Sequence, residues 1–133
     1  MPSMPQEIVV LALGVALLFF HISLQAILAT MELGRAWNAS ARDERIQVKG
    51  LYAGRAERAL KNYLETFTAL IALSLALAVL NKTGGIATTG AWIWLLARLV
   101  YIPLYLMGIP YIRSAVWVVA ALGLFLMFIA LFM

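Results

Sequence analysis

A short polar stretch, from Gly54 to Thr66, leads directly into an apolar segment of nearly membrane length. Four of its polar side chains are spaced by three, four and seven residues, which is one stripe of a helix. They are Arg58, Lys61, Asn62 and Glu65. The uncharged run after them, residues 66–81, would form about 24 Å of helix, whereas a bilayer core is about 30 Å thick. The helix must therefore draw Asn62 and Glu65 to or below the hydrocarbon edge.

A carboxylate at that depth costs several kcal/mol unless it meets a cation or a donor, so Glu65 marks a candidate functional site. Arg98 interrupts a second apolar segment, where neither flank is long enough to span alone, so it too must be carried inside the membrane. We predict a buried structural ion pair between Glu65 and Arg98. The alternative for other cations such as Arg58, Lys61 and Arg113 is an orienting role at the membrane surface.

The composition identifies the class of protein. Of 133 residues, 65% are hydrophobic and 12% are charged, which predicts a small integral membrane protein of one domain, residues 1–133. The net charge of +4 is concentrated around one loop, which favours membrane orientation over a nucleic-acid partner. The absence of cysteine excludes disulfides, thiolate metal sites and a thiol nucleophile from the chain itself, and we predict no metal site.

Four apolar segments predict an all-α fold, a transmembrane four-helix bundle. The predicted spans are residues 6–32, 52–81, 89–108 and 112–132. Residues 32–50 read as an exposed polar connection, and a Gly-Ile-Pro sequence makes the last connection a tight turn. We expect the first segment to be a membrane helix rather than a signal peptide, because its leader carries Glu7 and no basic residue.

The basic residues predict the orientation. Four spans place the first and third connections on one face, and most of the basic residues fall there: Arg35, Arg42, Arg45, Lys49, Arg55, Arg58 and Arg113. Only Lys82 marks the other face. By the positive-inside rule the first face is cytoplasmic, so both termini are on the non-cytoplasmic side, of the inner membrane if the source is bacterial.

Polar and aromatic side chains of three spans then share the cytoplasmic half of the membrane. They are Asn62, Glu65, Tyr101, Tyr105, Arg113 and Ser114. This arrangement predicts one polar site there. The tyrosines could instead belong to an aromatic belt at the membrane surface, which is the preferred interpretation for Tyr111 and Trp117, and on the far side for Trp92 and Trp94. His21 is predicted to be a packed residue bonded to a neighbouring helix rather than a ligand.

Two motifs resemble the MAPEG family, the membrane-associated proteins in eicosanoid and glutathione metabolism. Residues 58–65 have the pattern Arg-Ala-x-x-Asn-x-x-Glu, which resembles the second-helix signature of that family. The second motif comprises Arg98, Tyr101, Tyr105, Gly108, Pro110, Arg113 and Ser114. Residues 54–59, Gly-Arg-Ala-Glu-Arg-Ala, resemble its bacterial branch. The resemblance implies a homotrimer of four-helix bundles that binds glutathione between subunits near the cytoplasmic face.

Carried over by position, the resemblance also implies roles for single residues. Arg113 and Ser114 would hold and activate the glutathione thiol as catalytic residues. The pocket or its support would include Arg35, Arg58, Lys61, Asn62, Glu65, Tyr101 and Tyr105. Lys61 stands where several members have arginine, Tyr101 where one branch has histidine, and the turn before Arg113 is about one residue shorter than in that branch. A lipophilic substrate would arrive from membrane lipid through a gap between helices.

The function implied is glutathione transfer to a lipophilic electrophile, with hydroperoxide reduction as a related activity. Two alternatives stay open. A non-catalytic family member would bind lipid or glutathione without activating a thiol. A four-span proton-coupled exporter would need a membrane carboxylate for its proton, and Glu65 would have to serve.

Overall fold

The computed structural model describes residues 3–41 and 50–133, and within them the chain is α-helical with no strand. The helices are α1 (Gln6–Leu33), α2 (Arg35–Ala39), α3 (Leu51–Val79), α4 (Ile86–Leu106) and α5 (Pro110–Ala130). All but the short α2 are long and apolar enough to cross a membrane, which confirms the predicted all-α fold with four spans. The helix α2 was not predicted. Three of the basic residues used for orientation, Arg42, Arg45 and Lys49, lie outside the described residues.

The outward faces of the long helices are apolar. Large side chains such as Phe19, Ile27, Val79 and Phe125 are exposed in the single chain. In water such a surface would aggregate, but in a bilayer it meets acyl chains, and each helix satisfies its own backbone hydrogen bonds. Helix formation is therefore enforced by the membrane, and the few inward-facing polar residues are left to determine how the helices pack.

Helices α4 and α5 approach most closely where two glycines face each other. A Cβ atom on Gly123 would lie 2.9 Å from the backbone nitrogen of Trp94, and one on Gly90 would lie 3.0 Å from Cβ of Leu126. Small residues at such crossings let backbones pack directly, which is a principal source of helix association in membranes. Helices α4 and α5 are thus closely packed, and together with the turn between them they carry all the residues of the second motif.

An aromatic cluster fills the space between α1, α3 and α4. Tyr63 is fully buried and its hydroxyl donates a hydrogen bond of 2.6 Å to the carbonyl of Gly14. Its ring lies 4.6 Å from that of His21 and 5.6 Å from that of Trp94. His21 is therefore a packed residue, but it stacks on the neighbouring helix, and its Nε2 has no hydrogen-bond partner among the described residues. The predicted belt position of Trp94 is wrong, because this side chain is 0% exposed.

At the non-cytoplasmic end predicted for the bundle, polar contacts tie the helix ends together. The buried Glu7 accepts hydrogen bonds at Oε1 from the amide of Gly84 and the hydroxyl of Thr88, at the start of α4. Lys82 donates from Nζ to the carbonyl of Leu131 at 2.6 Å, just after α5 ends. A carboxylate at a helix start and a cation at a helix end both match the helix dipole.

Replacing Gly123 by alanine is expected to destabilise the bundle by about 1 to 3 kcal/mol, because the added methyl group meets backbone atoms that cannot turn aside. Thermal unfolding of the detergent-solubilised protein measures this. The matched control is Gly54→Ala in α3, where the nearest atoms belong to the flexible side chain of Arg58. The control should leave stability unchanged or raise it. Equal unfolding temperatures for Gly123→Ala and the wild type would contradict the close-contact account.

Candidate functional site

A cavity of about 350 Å³ opens between α3, α4 and α5 in the half of the bundle that also holds the α4–α5 turn. Its lining residues are Asn62, Tyr101, Tyr105, Arg113, Ser114, Trp117 and Val118. Helix periodicity explains the set, since residues four apart share a face. Tyr101 and Tyr105 are so related on α4, as are Arg113 and Trp117 on α5. Five side chains selected from the sequence thus come together within one chain.

A row of cations and aromatic rings runs from the cavity into the core, in the order Arg113, Tyr105, Tyr101, Arg98 and Tyr63. The guanidinium carbon of Arg113 lies 4.8 Å from the ring centre of Tyr105. The two α4 tyrosine rings are 5.6 Å apart. The guanidinium carbon of Arg98 is then 4.3 Å from the Tyr101 ring and 5.4 Å from the Tyr63 ring. All of these cation contacts fall within the range of about 6 Å in which aromatic faces attract cations.

Arg98 is 0% exposed and donates its hydrogen bond to an amide oxygen, not to a carboxylate. Its Nη1 donates to Oδ1 of Asn62 at 2.8 Å, while Nε and Nη2 have no partner in the described part of the chain. The described residues form no direct contact for the predicted ion pair: Glu65 is exposed, although its carboxylate is near enough to attract the Arg98 cation through space. At 3.6 residues per turn Asn62 stands at the inner edge of the polar stripe, and Glu65 lies about 60° further round the helix.

The other predicted pocket residues do not reach the cavity within one chain. Arg58, Lys61 and Glu65 are exposed along the outer side of α3, and Arg35 is exposed at the start of α2. Arg58 and Glu65 are separated by seven residues, about two turns, so the stripe forms one outward-facing row. The structure therefore divides the predicted set into five cavity residues and four outward-facing ones.

Two cavity residues were missed from the sequence. Trp117 was assigned to an aromatic belt, and Val118 was not considered, yet both line the cavity one turn beyond Arg113 and Ser114. The available signal was the four-residue spacing. Tyr111, also assigned to the belt, is 87% exposed and does not line the cavity.

The chemistry of the cavity is that of an anion site with an apolar inner wall. None of its lining residues is acidic, whereas the Arg113 guanidinium offers a fixed charge at its rim. The Ser114 hydroxyl makes only a 3.3 Å hydrogen bond to the carbonyl of Pro110, a distance at the long end of the range. A cation beside a hydroxyl donor stabilises an anionic ligand atom, and Trp117 with Val118 offers contact to an apolar group.

Asn62→Ala should destabilise the protein by about 1 to 3 kcal/mol, because it leaves the buried Arg98 cation without its hydrogen-bond acceptor. Asn62→Asp keeps an acceptor and should retain more stability. Glu65→Gln distinguishes an Arg98–Asn62 hydrogen bond from an Arg98–Glu65 ion pair. It should lower the unfolding temperature in detergent less than Asn62→Ala does. A larger effect of Glu65→Gln than of Asn62→Ala would instead support the ion pair.

Comparison with known proteins places this chain in a family. The model of the MAPEG family matches residues 10–133, nearly the whole chain. No curated protein and no solved structure gives a significant match. The family match covers α1 from residue 10 onward, the other three long helices and every residue of the cavity. The chain therefore belongs to the MAPEG family, the membrane-associated proteins in eicosanoid and glutathione metabolism, and is a multi-pass integral membrane protein.

Proposed function

We propose that this protein is a membrane-bound glutathione transferase that joins the thiolate of glutathione to a lipophilic electrophile. The observation that carries the proposal is the meeting of Arg113 and Ser114 with Asn62 and Tyr105 around a cavity without an acidic lining residue. Family membership supplies the ligand class, and the cavity supplies donors suited to an anionic sulfur.

The proposed chemistry is nucleophilic attack by sulfur. A thiol is mostly protonated at neutral pH, and a neighbouring cation lowers its pKa by favouring the thiolate. Arg113 provides that cation, and the Ser114 hydroxyl donates a hydrogen bond to the sulfur. The thiol proton leaves to water at the cytoplasmic face. The sulfur lone pair then forms a C–S bond, while the bonding pair of the broken bond leaves with the displaced group or moves onto the oxygen of an opened epoxide.

Glutathione also carries two carboxylates and an amine, which need more partners than the cavity of one chain contains. Suitable groups stand on the polar row of α3, where Arg58, Lys61 and Glu65 are exposed and where Glu65 lies at or below the predicted hydrocarbon edge. Charged side chains at such depth are costly when they face lipid. We propose that a second copy covers this row, as in a homotrimer, and that Arg35 joins the peptide site at the subunit boundary.

The lipophilic substrate would reach the sulfur from the bilayer. Trp117 and Val118 form the side of the cavity away from the rim, and the outward surface of α5 beyond them is apolar. The rim faces the cytoplasm in the proposed orientation, because Arg35, Arg55 and Arg113 lie at that end of the bundle. Both termini then lie on the non-cytoplasmic side. In a bacterium the membrane concerned would be the inner membrane.

Removing the cation should separate thiol activation from binding. We expect Arg113→Ala to lower turnover by about 10²-fold, the usual cost of one donor to a developing anion. The pH dependence of turnover should move to more alkaline pH, because a thiol without its cation ionises at higher pH. Glutathione affinity, measured by calorimetry on the solubilised protein, should fall less than turnover. Ser114→Ala should give a smaller loss in the same direction.

The control is Tyr111→Leu, one turn from the cavity but with an exposed side chain, which should leave turnover and affinity unchanged. A protein that binds glutathione with no turnover of any electrophile or hydroperoxide would instead be the non-catalytic family member. Absence of both binding and turnover would overturn the proposal.

A further inference from the structure

At the turn between α4 and α5, the carbonyl of Leu106 has no backbone partner among the described residues. The amide of Gly108 donates to the carbonyl of Tyr105 at 3.0 Å and that of Ile109 to the carbonyl of Leu104 at 3.1 Å, with Gly108 at a φ of 71°. This is the Schellman arrangement at a helix end. The carbonyl of Leu106 would next accept from residue 110, but that residue is a proline and has no N–H.

Arg55, in the second turn of α3, supplies the missing donor. Its Nη1 donates to the carbonyl of Leu106 at 2.8 Å. Its guanidinium lies directly on the backbone of the turn, because a Cβ atom on Gly108 would be 2.6 Å from Nη2. A cation at a helix C-terminus is also favoured by the helix dipole. Gly108 is thus needed twice, for its positive φ and for the space that the guanidinium occupies.

The turn that Arg55 holds joins the two helix ends that form the cavity rim. Tyr105 lies three residues before Gly108, and Arg113 lies five residues after it. The contact of 4.8 Å between the Arg113 guanidinium carbon and the Tyr105 ring therefore spans the turn. A tilt of the turn would move Arg113 and Ser114 relative to Asn62, which is fixed on α3 by its bond to Arg98.

We propose that Arg55 is a positioning residue for thiol activation: it locks the α4–α5 turn to α3 and so sets the placement of Arg113 and Ser114 in the cavity. Its side chain does not line the cavity. The inference rests on the proposed function for its catalytic part, while the locking of the turn is independent of any ligand.

A helix-end contact of the same kind exists at the opposite end of the bundle and gives a matched control. Lys82 donates to the carbonyl of Leu131 after the end of α5, far from the cavity. Lys82→Met and Arg55→Met each remove one cation and one hydrogen bond to a backbone carbonyl. Any effect on the cavity that follows from general loss of stability should therefore appear in both variants.

The test combines hydrogen exchange and kinetics on the full chain in detergent. Arg55→Met should speed amide exchange in residues 107–114 while Lys82→Met leaves that segment unchanged. Arg55→Met should also lower turnover by up to about 10²-fold, the loss expected from a displacement near 1 Å in a catalytic group. Its glutathione affinity should change by less than about threefold, and its pH profile should move to more alkaline pH as the thiolate loses its cation. Arg55→Lys can still donate to the carbonyl of Leu106. Its exchange in residues 107–114 and its turnover should therefore both lie between those of Arg55→Met and the wild type.

Each outcome has a distinct meaning. Unchanged exchange in residues 107–114 of Arg55→Met, or equal losses of turnover in Arg55→Met and Lys82→Met, would overturn the positioning role. A loss of glutathione affinity as large as the loss of turnover would also overturn it, since Arg55 would then act in binding. If the wild type neither binds nor uses glutathione, the proposed function fails. Faster exchange confined to the turn would then still support the lock on Arg113 and Ser114.

Discussion

The structure depends on keeping one arginine charged in the middle of a membrane bundle. Arg98 is fully buried, and the described residues offer it one amide oxygen and two aromatic faces. A buried cation is tolerated only where such partners are held in place, so Asn62, Tyr63 and Tyr101 are constrained together. The hydrogen bond from α4 to Asn62 then fixes α3 against α4, and Asn62 and Tyr101 become two walls of the cavity. The Arg98–Asn62 hydrogen bond thus both stabilises the buried charge and positions the candidate site.

This constraint also accounts for the division of the polar residues. The inner edge of the α3 stripe is occupied by the amide that Arg98 needs, so the charged members of the stripe are turned outward. In a single chain Lys61 and Glu65 are exposed, and charged side chains that meet lipid are costly. The proposed trimer resolves this by bringing a neighbouring subunit against these side chains. In that assembly the thiol end of the ligand belongs to one chain and its charged ends lie near the boundary between two.

The fold could be predicted from the sequence because each uncharged run is close to the thickness of a bilayer and only helices satisfy the backbone there. The convergence of Asn62, Tyr101 and Arg113 followed from topology, since helix ends on one face share a depth. The rotation of α3 about its axis could not be predicted from the sequence. The length of a span determines how deep a residue lies in the membrane, but it does not determine which way the side chain points. The ion pair with Glu65 was therefore the wrong pairing for Arg98 within one chain.

Other features lie beyond pattern reasoning for equally physical reasons. An aromatic residue near the membrane surface suits a belt as well as a cavity wall, and Trp117 was therefore assigned to the belt although it lines the cavity. The role of Arg55 depends on a turn conformation that leaves the Leu106 carbonyl exposed, and no spacing rule connects residues 51 positions apart.

The most direct test of the account is a structure of the full-length protein in a lipid bilayer with glutathione bound. The account predicts that the glutathione sulfur lies within hydrogen-bond distance of the Arg113 guanidinium and the Ser114 hydroxyl, inside the cavity that Asn62 and Tyr105 line. A glutathione molecule bound elsewhere, or one whose sulfur points away from both side chains, would contradict it.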